Sequence, residues 1–339
     1  MMGSVLMQRR RLLLWLAGAG ASAETLAQPG PAAGWPTRPL RIVVPFPASG
    51  ATDIVARLLA PELQRSLGQP VVVENKPGAD GNIGSAEVAG ATDGHTLLLG
   101  SVVTHAINPV LSRRLPYDPV KDFAPISLLA GLPLVLVVNP GVAHALGIRS
   151  VTDLLRVSTR QPGRLHIASG GNGNPTHLAG ELFKRLTQTY MLHFPYRSAA
   201  SAQQDVIAGN MDLMFDVLPA ALPQIRAGKL LPLAVSTAQR HASLPDVPTV
   251  EQAGGPALKG YEVSAWAGLL APVSQPPEQV ARLQRDVLNA LNGAALRERF
   301  RNSGLQVQPT SSAGFAALIA AETAKWARVV QLSGVKVDR

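Results

Sequence analysis

Short β-branched apolar runs alternate with amphipathic stretches from residue 40 almost to the C-terminus. This alternation limits the chain to sheets covered by helices, and it predicts parallel strands. The first unit is the clearest. Leu40–Val44 reads as a strand, breaks at Pro45 and Pro47, and passes through Ser49-Gly50 into a helix in which Ile54, Val55, Leu58, Leu59 and Leu63 recur at helical spacing. Small residues at such a junction leave backbone N–H groups open at the helix N-terminus, where an anion can sit. The same segment also reads as an ordinary βα turn.

Further strands are expected around Val71–Val73, Thr96–Gly100, Leu165–Ser169, Met191–Pro195, Met211–Phe215 and Leu231–Ser236. Helices are expected at 81–89, 150–160, 175–187, 199–208 and 219–227, with C-terminal ones at 276–292 and 312–331. Two apolar runs stand apart: Ile126–Asn139, too long for one strand of a small sheet, and Tyr261–Pro272, which follows Gly254-Gly255-Pro256. If both cross between sheets, residues 138–261 form a domain inserted into another built from 35–137 plus 262–339. A length prior of two domains agrees.

Residues 1–34 read as an export leader. Arg9-Arg10-Arg11 are a basic start, Leu12–Ala19 an apolar core too short to span a membrane, and Ala23 or Ala27 the end of a small-residue cleavage site. Arg9-Arg10 ahead of Leu12-Leu13 also suits the twin-arginine route beside the general secretory one. With no cysteine, the exported protein carries neither a lipid on cysteine nor disulfides and relies on its core. Apolar residues make up 46% and charged residues 16%, which fits a well-buried globular chain. The net charge of +9 is dispersed, and aromatic residues are only 4%, so nucleic acid is not expected as a partner. Excess positive charge draws small anions instead.

No established catalytic motif is present. Gly78-Ala-Asp-Gly81-Asn-Ile-Gly84 has the wrong spacing for a dinucleotide loop and reads as a tight turn. His177 and Glu181 stand four apart on a predicted helix, but no third metal ligand lies within sequence reach, so no metal or other cofactor is expected. Ser169, His177 and Asp216 could be imagined as a hydrolase triad, yet no nucleophile elbow accompanies them. What remains is a set of small polar segments at predicted strand ends, where α/β sheets bind ligands. They include Pro47, Ala48, Ser49 and Gly50; Ser101 and Thr104; Ser169, Gly170 and Gly171, running into Thr176 and His177; Tyr196, Ser198 and Ala199; and Asp216. The loop 168–174 entering the helix at Pro175 repeats the helix N-terminus device, and two such termini suit a carboxylate. Arg197 reads as a surface group, and Asp216 stands out because carboxylates are rarely buried without a role.

On these residues the chain resembles the Bug-type solute receptors, the extracytoplasmic binding components of tripartite tricarboxylate transporters. The resemblance rests on Trp35-Pro-Thr-Arg-Pro-Leu-Arg-Ile-Val-Val-Pro-Phe-Pro, Leu67-Gly-Gln-Pro-Val-Val-Val-Glu-Asn-Lys-Pro-Gly, Leu115-Pro-Tyr-Asp-Pro-Val-Lys-Asp-Phe-Ala-Pro, His177-Leu-Ala-Gly-Glu-Leu-Phe, Leu244-Pro-Asp-Val-Pro-Thr-Val and Trp266-Ala-Gly-Leu-Leu-Ala-Pro, which span nearly all of the chain after the leader. It implies a type II periplasmic-binding-protein fold, two α/β domains joined by two crossover strands around a ligand cleft. It also implies a periplasmic, monomeric, non-enzymatic protein that hands a small carboxylate to membrane permease subunits. Family ligands include dicarboxylates, acidic amino acids, citrate and aromatic acids. By resemblance the contacts fall on Phe46, Ala48, Ser49, Gly50, Asp53, Ser169, Gly170, Gly171, Thr176, His177, Ser198, Ala199 and Asp216. Two loops depart from the family: Ser49 stands in the usual Pro-Ala-Gly-Gly, and Tyr196-Arg-Ser-Ala-Ala-Ser201 replaces Tyr-Lys-Gly-x-Ala-Pro. A ligand-sensing receptor and a periplasmic hydrolase are the alternatives.

Overall fold

The computed structural model describes residues 34–112 and 114–335, so the leader and its cleavage sites lie outside the described residues. The chain begins with β1 (Leu40–Val44), α1 (Ala51–Leu67), β2 (Val71–Asn75), α2 (Asn82–Ala89), β3 (Thr96–Ser101), α3 (Asn108–Leu111) and β4 (Phe123–Val138). It continues through α4 (Pro140–Leu146), α5 (Val151–Arg160), β5 (His166–Ser169), α6 (Pro175–Thr187), β6 (Leu192–Pro195), α7 (Ala199–Ala208), β7 (Leu213–Val217), α8 (Leu218–Arg226) and β8 (Leu231–Val235). Last come α9 (Val250–Gly254), β9 (Ser264–Pro272), α10 (Pro277–Asn292), α11 (Ala294–Asn302), β10 (Gln306–Val307) and α12 (Ser312–Ser333).

β1 pairs in parallel with β2 and β3, and β5 pairs in parallel with β6 and β7, as the alternation predicts. The long strands break that rule. β4 runs antiparallel to β9 from Phe123 to Pro133, then antiparallel to β7 and β8 from Leu134 to Val138. The reason is the path: one strand leaves the first strand set and another returns to it, so the two must oppose each other. Every β4 residue from Ile126 to Val138 is buried, as expected of a strand covered on both faces.

The second crossing differs from the run expected at Tyr261–Pro272. β9 begins at Ser264 and pairs only with β3 and the first part of β4. Ser236 makes the link instead: its Oγ accepts the Leu134 N–H at 3.0 Å and donates to Val263 O, and its carbonyl accepts the Val263 N–H at 3.1 Å. The C-terminal helix α12 packs back on β4. Its Phe315 ring meets Trp266 of β9 edge-on, with centroids 5.5 Å apart. Gly268 lets that ring in, since a Cβ there would stand 2.1 Å from Phe315 Cζ. This edge-on contact with Phe315 braces Trp266 where it sits.

Candidate functional site

The C-terminal ends of the parallel strands converge on a cavity of about 730 Å³. One wall is the loop after β1 (Pro45–Ala48), the start of α1, the turn 78–81 and the end of β3; the other comes from the loops after β5 and β6 and from Val217. Leu132 of β4 and Trp266 of β9 also line it. Strand ends are where α/β sheets bind ligands. Of the residues singled out from sequence, Phe46, Ala48, Gly50, Ser101, Gly170, Gly171, Thr176, Tyr196, Ser198 and Ala199 line this cavity. Ser49, Asp53, Thr104, Ser169, His177 and Asp216 are not among the lining residues.

Helix α1 brings open donors to the wall. Its N-cap is Gly50, which has no side chain to cap with, and the first-turn residues Ala51 and Thr52 line the cavity. Asp53 holds the loop rather than the ligand. Its Oδ2 accepts the Ser49 N–H and Arg57 Nε, each at 2.9 Å, and its Oδ1 accepts Asn75 Nδ2 at 3.0 Å. Burial would raise the Asp53 pKa, but Arg57, the Ser49 N–H and Asn75 outweigh it and hold the carboxyl below its ordinary value. Asn75 also donates to Phe46 O at 3.1 Å, so both sides of the loop are tied. Ser49 pays for this turn with a left-handed φ of 66°. Thr104 Oγ1 accepts the Ser101 N–H at 3.1 Å and meets His105 Nδ1 at 2.8 Å, bracing the end of β3. Burial drives the His105 pKa down to about 3.

On the opposite wall the helix expected to present donors is not the one that has them. Asn174 Oδ1 accepts the N–H groups of Thr176 at 3.0 Å and His177 at 3.1 Å, so α6 caps itself. Helix α7 is the open one. The Ser198 hydroxyl takes the Ser201 N–H at 3.1 Å, which leaves Ala199 and Ala200, both lining the cavity, without a capping side chain. Tyr196 lines the cavity with its hydroxyl donated to Asp205 at 2.6 Å; burial first and Asp205 second push its pKa up to about 12.

The imagined triad does not assemble. Ser169 Oγ lies 2.6 Å from His193 Nε2, His177 Nδ1 accepts the Gly173 N–H at 2.9 Å, and Asp216 accepts Gln203 Nε2 and the Val217 N–H. Ser169 is 1% exposed, so its hydroxyl is closed off, and burial, then His177, lowers the His193 pKa to about 4, which leaves a neutral imidazole that is only a weak base at neutral pH. His193 does supply the third partner that sequence spacing could not find for His177 and Glu181. These groups are already engaged. Because His177 Nδ1 accepts an N–H, its Nε2 carries the proton, and Lys184 Nζ sits 2.6 Å from Glu181 Oε1. The cluster instead braces the glycine loop from behind.

Several lining residues were not singled out as contacts: Asp80, Val102, Leu132, Asn172, Asn174 and Trp266. Arg197, read as a surface group, is exposed and also lines the cavity. Asn172 and Asn174 sit inside the polar loop that sequence pointed to, whereas Leu132 and Trp266 read only as strand core.

A family model described as the tripartite tricarboxylate transporter family receptor matches residues 55–335. BugT of Bordetella pertussis is 36% identical over 330 residues, covering 96% of this chain and 98% of that protein. An R. palustris protein solved with adipate shares 35% identity with a TM-score of 0.84, covering 89% of this chain and 99% of the other. MatC from Rhodopseudomonas palustris with bound malate gives 33% identity and 0.78, covering 87% and 100%. The chain belongs to the tripartite tricarboxylate transporter receptors, the Bug-type solute-binding proteins, and has their α/β, type II periplasmic-binding-protein fold.

Proposed function

We propose that this protein is a periplasmic receptor that captures a small carboxylate in the cavity and passes it to the permease of a tripartite transporter, with no chemistry of its own. The observation that carries this reading is the pairing of two helix N-termini on the cavity wall: α1, whose N-cap Gly50 makes no side-chain cap, and α7, whose cap Ser198 takes only the Ser201 N–H. Oriented N–H groups and the helix dipoles favour an anion there. The adipate and malate in related structures support a carboxylate as that anion. The division expected from sequence, 35–137 plus 262–339 against 138–261, is part of this proposal; β4 changes partners at Pro133/Leu134, four residues before its first boundary, and Ser236 binds Val263 beside its second.

A thermal-shift screen of mono-, di- and tricarboxylates against neutral sugars tests the reading. A ligand at a hundred times its Kd stabilises the fold by ~2.7 kcal/mol, enough for a clear rise in Tm. Shifts are expected only among acids. Shifts with sugars and none with acids would overturn the assignment, and turnover of simple esters or amides would restore the enzyme alternative.

A further inference from the structure

Asn174 caps the start of α6, and the two ends of its side-chain amide have different fates. The oxygen is spent on the helix. It accepts the Thr176 N–H at 3.0 Å, the His177 N–H at 3.1 Å and the Thr176 hydroxyl at 2.7 Å. Thr176 Oγ1 in turn accepts the Gly170 N–H at 2.9 Å, so the cap and the glycine loop form one connected unit. Three donors on one atom settle the amide orientation, because the reverse would set an NH2 group against two N–H groups. The nitrogen, Nδ2, therefore faces away from those donors. Asn174 is only partly buried and lines the cavity, and its Nδ2 makes no hydrogen bond among the described residues.

The start of α7 arrives beside it. A Cβ on Gly170 would stand 2.7 Å from Asn174 Nδ2, 2.7 Å from the Ala199 nitrogen and 3.0 Å from Ala199 Cα. Both nitrogens border the same face of Gly170, and only a glycine lets α7 come that close. The Ala199 N–H is the first of α7 and has no capping side chain, since Ser198 spends its hydroxyl on Ser201. A side-chain amide and a main-chain N–H thus converge from two helix starts at one place on the cavity wall. Asp80 also reaches this loop, with Oδ1 3.9 Å from the Cβ position of Gly171, and is engaged within the protein. The charged residues lining the cavity, Asp80 and Arg197, are of opposite sign. An anion there is held by placed donors rather than by net charge.

We propose that Asn174 is a ligand-binding residue: its amide nitrogen, together with the Ala199 N–H, holds a carboxylate of the ligand beside Gly170, while its amide oxygen caps α6. The inference rests on the carboxylate reading above and deepens it by naming the donors on this wall. A carboxylate has lone pairs enough to accept both N–H groups, and hydrogen bonds to an ionised acceptor are stronger than neutral ones.

The test separates the two ends of the amide. Serine and aspartate cap a helix about as well as asparagine, so Asn174→Ser and Asn174→Asp should keep the cap and melt close to wild type. Serine lacks the second donor, and aspartate replaces it with a negative oxygen. Wild type and both variants are titrated calorimetrically with adipate, malate, glutamate, citrate and benzoate. For the acid that wild type binds best, Asn174→Ser should lose about tenfold in affinity, the effect of one hydrogen bond to a charged group. Asn174→Asp should lose about a hundredfold or more, because a like charge then faces the ligand. Wild-type affinity in Asn174→Ser or in Asn174→Asp would overturn the inference and leave the carboxylate reading intact. So would a loss of affinity matched by a large fall in Tm in both variants, which assigns the amide to the fold alone. Binding of none of the five acids by wild type would remove the carboxylate reading and the inference with it.

Discussion

At residue scale the loop after β1 shows how one position can be strained for the sake of its neighbours. Ser49 sits at φ 66°, and what it contributes to the loop, an N–H bond to Asp53, comes from its backbone. Glycine would make the same bond without the steric penalty. Ser49→Gly should therefore stabilise the protein by up to about 1 kcal/mol, read as a higher midpoint in urea with an unchanged slope. Gly50 has an ordinary φ of −75°, so its need for glycine is one of access. A valine there would bring branched methyls to the cavity wall beside the open N–H groups of α1. Losing a hydrogen bond to a charged group costs about 1.5–3 kcal/mol, so Gly50→Val should weaken acid binding at least tenfold in calorimetric titration. Wild-type affinity in a folded Gly50→Val protein would move the site elsewhere. The smallness of Ser49-Gly50 and its place between strand and helix were legible in sequence because both are local. The role of Asp53 was not, since Asn75 approaches from the next strand.

At the scale of elements, the two helices entering the far wall look alike in sequence and differ in what their caps leave open. Asn174 satisfies two first-turn donors of α6, whereas Ser198 satisfies one donor of α7, at Ser201. Asn174→Ala should cost about 1–2 kcal/mol, the range of a lost N-cap, and lower Tm by several degrees. A melting curve that matches wild type would mean that the cap is redundant. Both cap residues could be read from the chain as helix starts. Which of the two helices keeps donors for a ligand depends on side-chain rotamers, and the alternation pattern carries no information about those. The same limit applies to Trp266, which reads as part of a strand but reaches the cavity because Phe315 of α12 packs against it.

For the whole molecule, the buried Asp216 links stability to pH. Burial, only partly offset by Gln203 and the Val217 N–H, raises its pKa to about 6 from 3.8. A raised carboxyl pKa means that the folded state holds the proton more tightly than the unfolded one. The contribution of Asp216 is then most favourable below about pH 4, is lost as pH rises through about 6, and is a constant penalty above that. A shift of this size corresponds to a few kcal/mol, on the order of 3. The difference in unfolding free energy between wild type and Asp216→Asn should follow that curve; a difference flat from pH 4 to 7 would contradict it. The proposed hinge makes a second prediction at this scale. Ligand bridges both walls only when the cleft is shut, so small-angle scattering should report a smaller radius of gyration with saturating acid. No change in radius would argue for a cleft that is closed without ligand.

The sequence by itself determined the strand and helix order, the family and the loops that reach the cavity, because each is written in local periodicity or in contiguous motifs. Only the tertiary structure decided the strand directions at the crossover, the identity of the open helix and the presence of Asp80 in the cleft. The first and the last depend on which groups meet across more than 30 residues of intervening chain, as Leu134 meets Ser236 and Asp80 approaches Gly171, and the second on the rotamers of Asn174 and Ser198. A glycine-rich turn looks the same in sequence whether its aspartate faces open solvent or a cavity. What distinguishes the two cases is the wall that folding brings to face it.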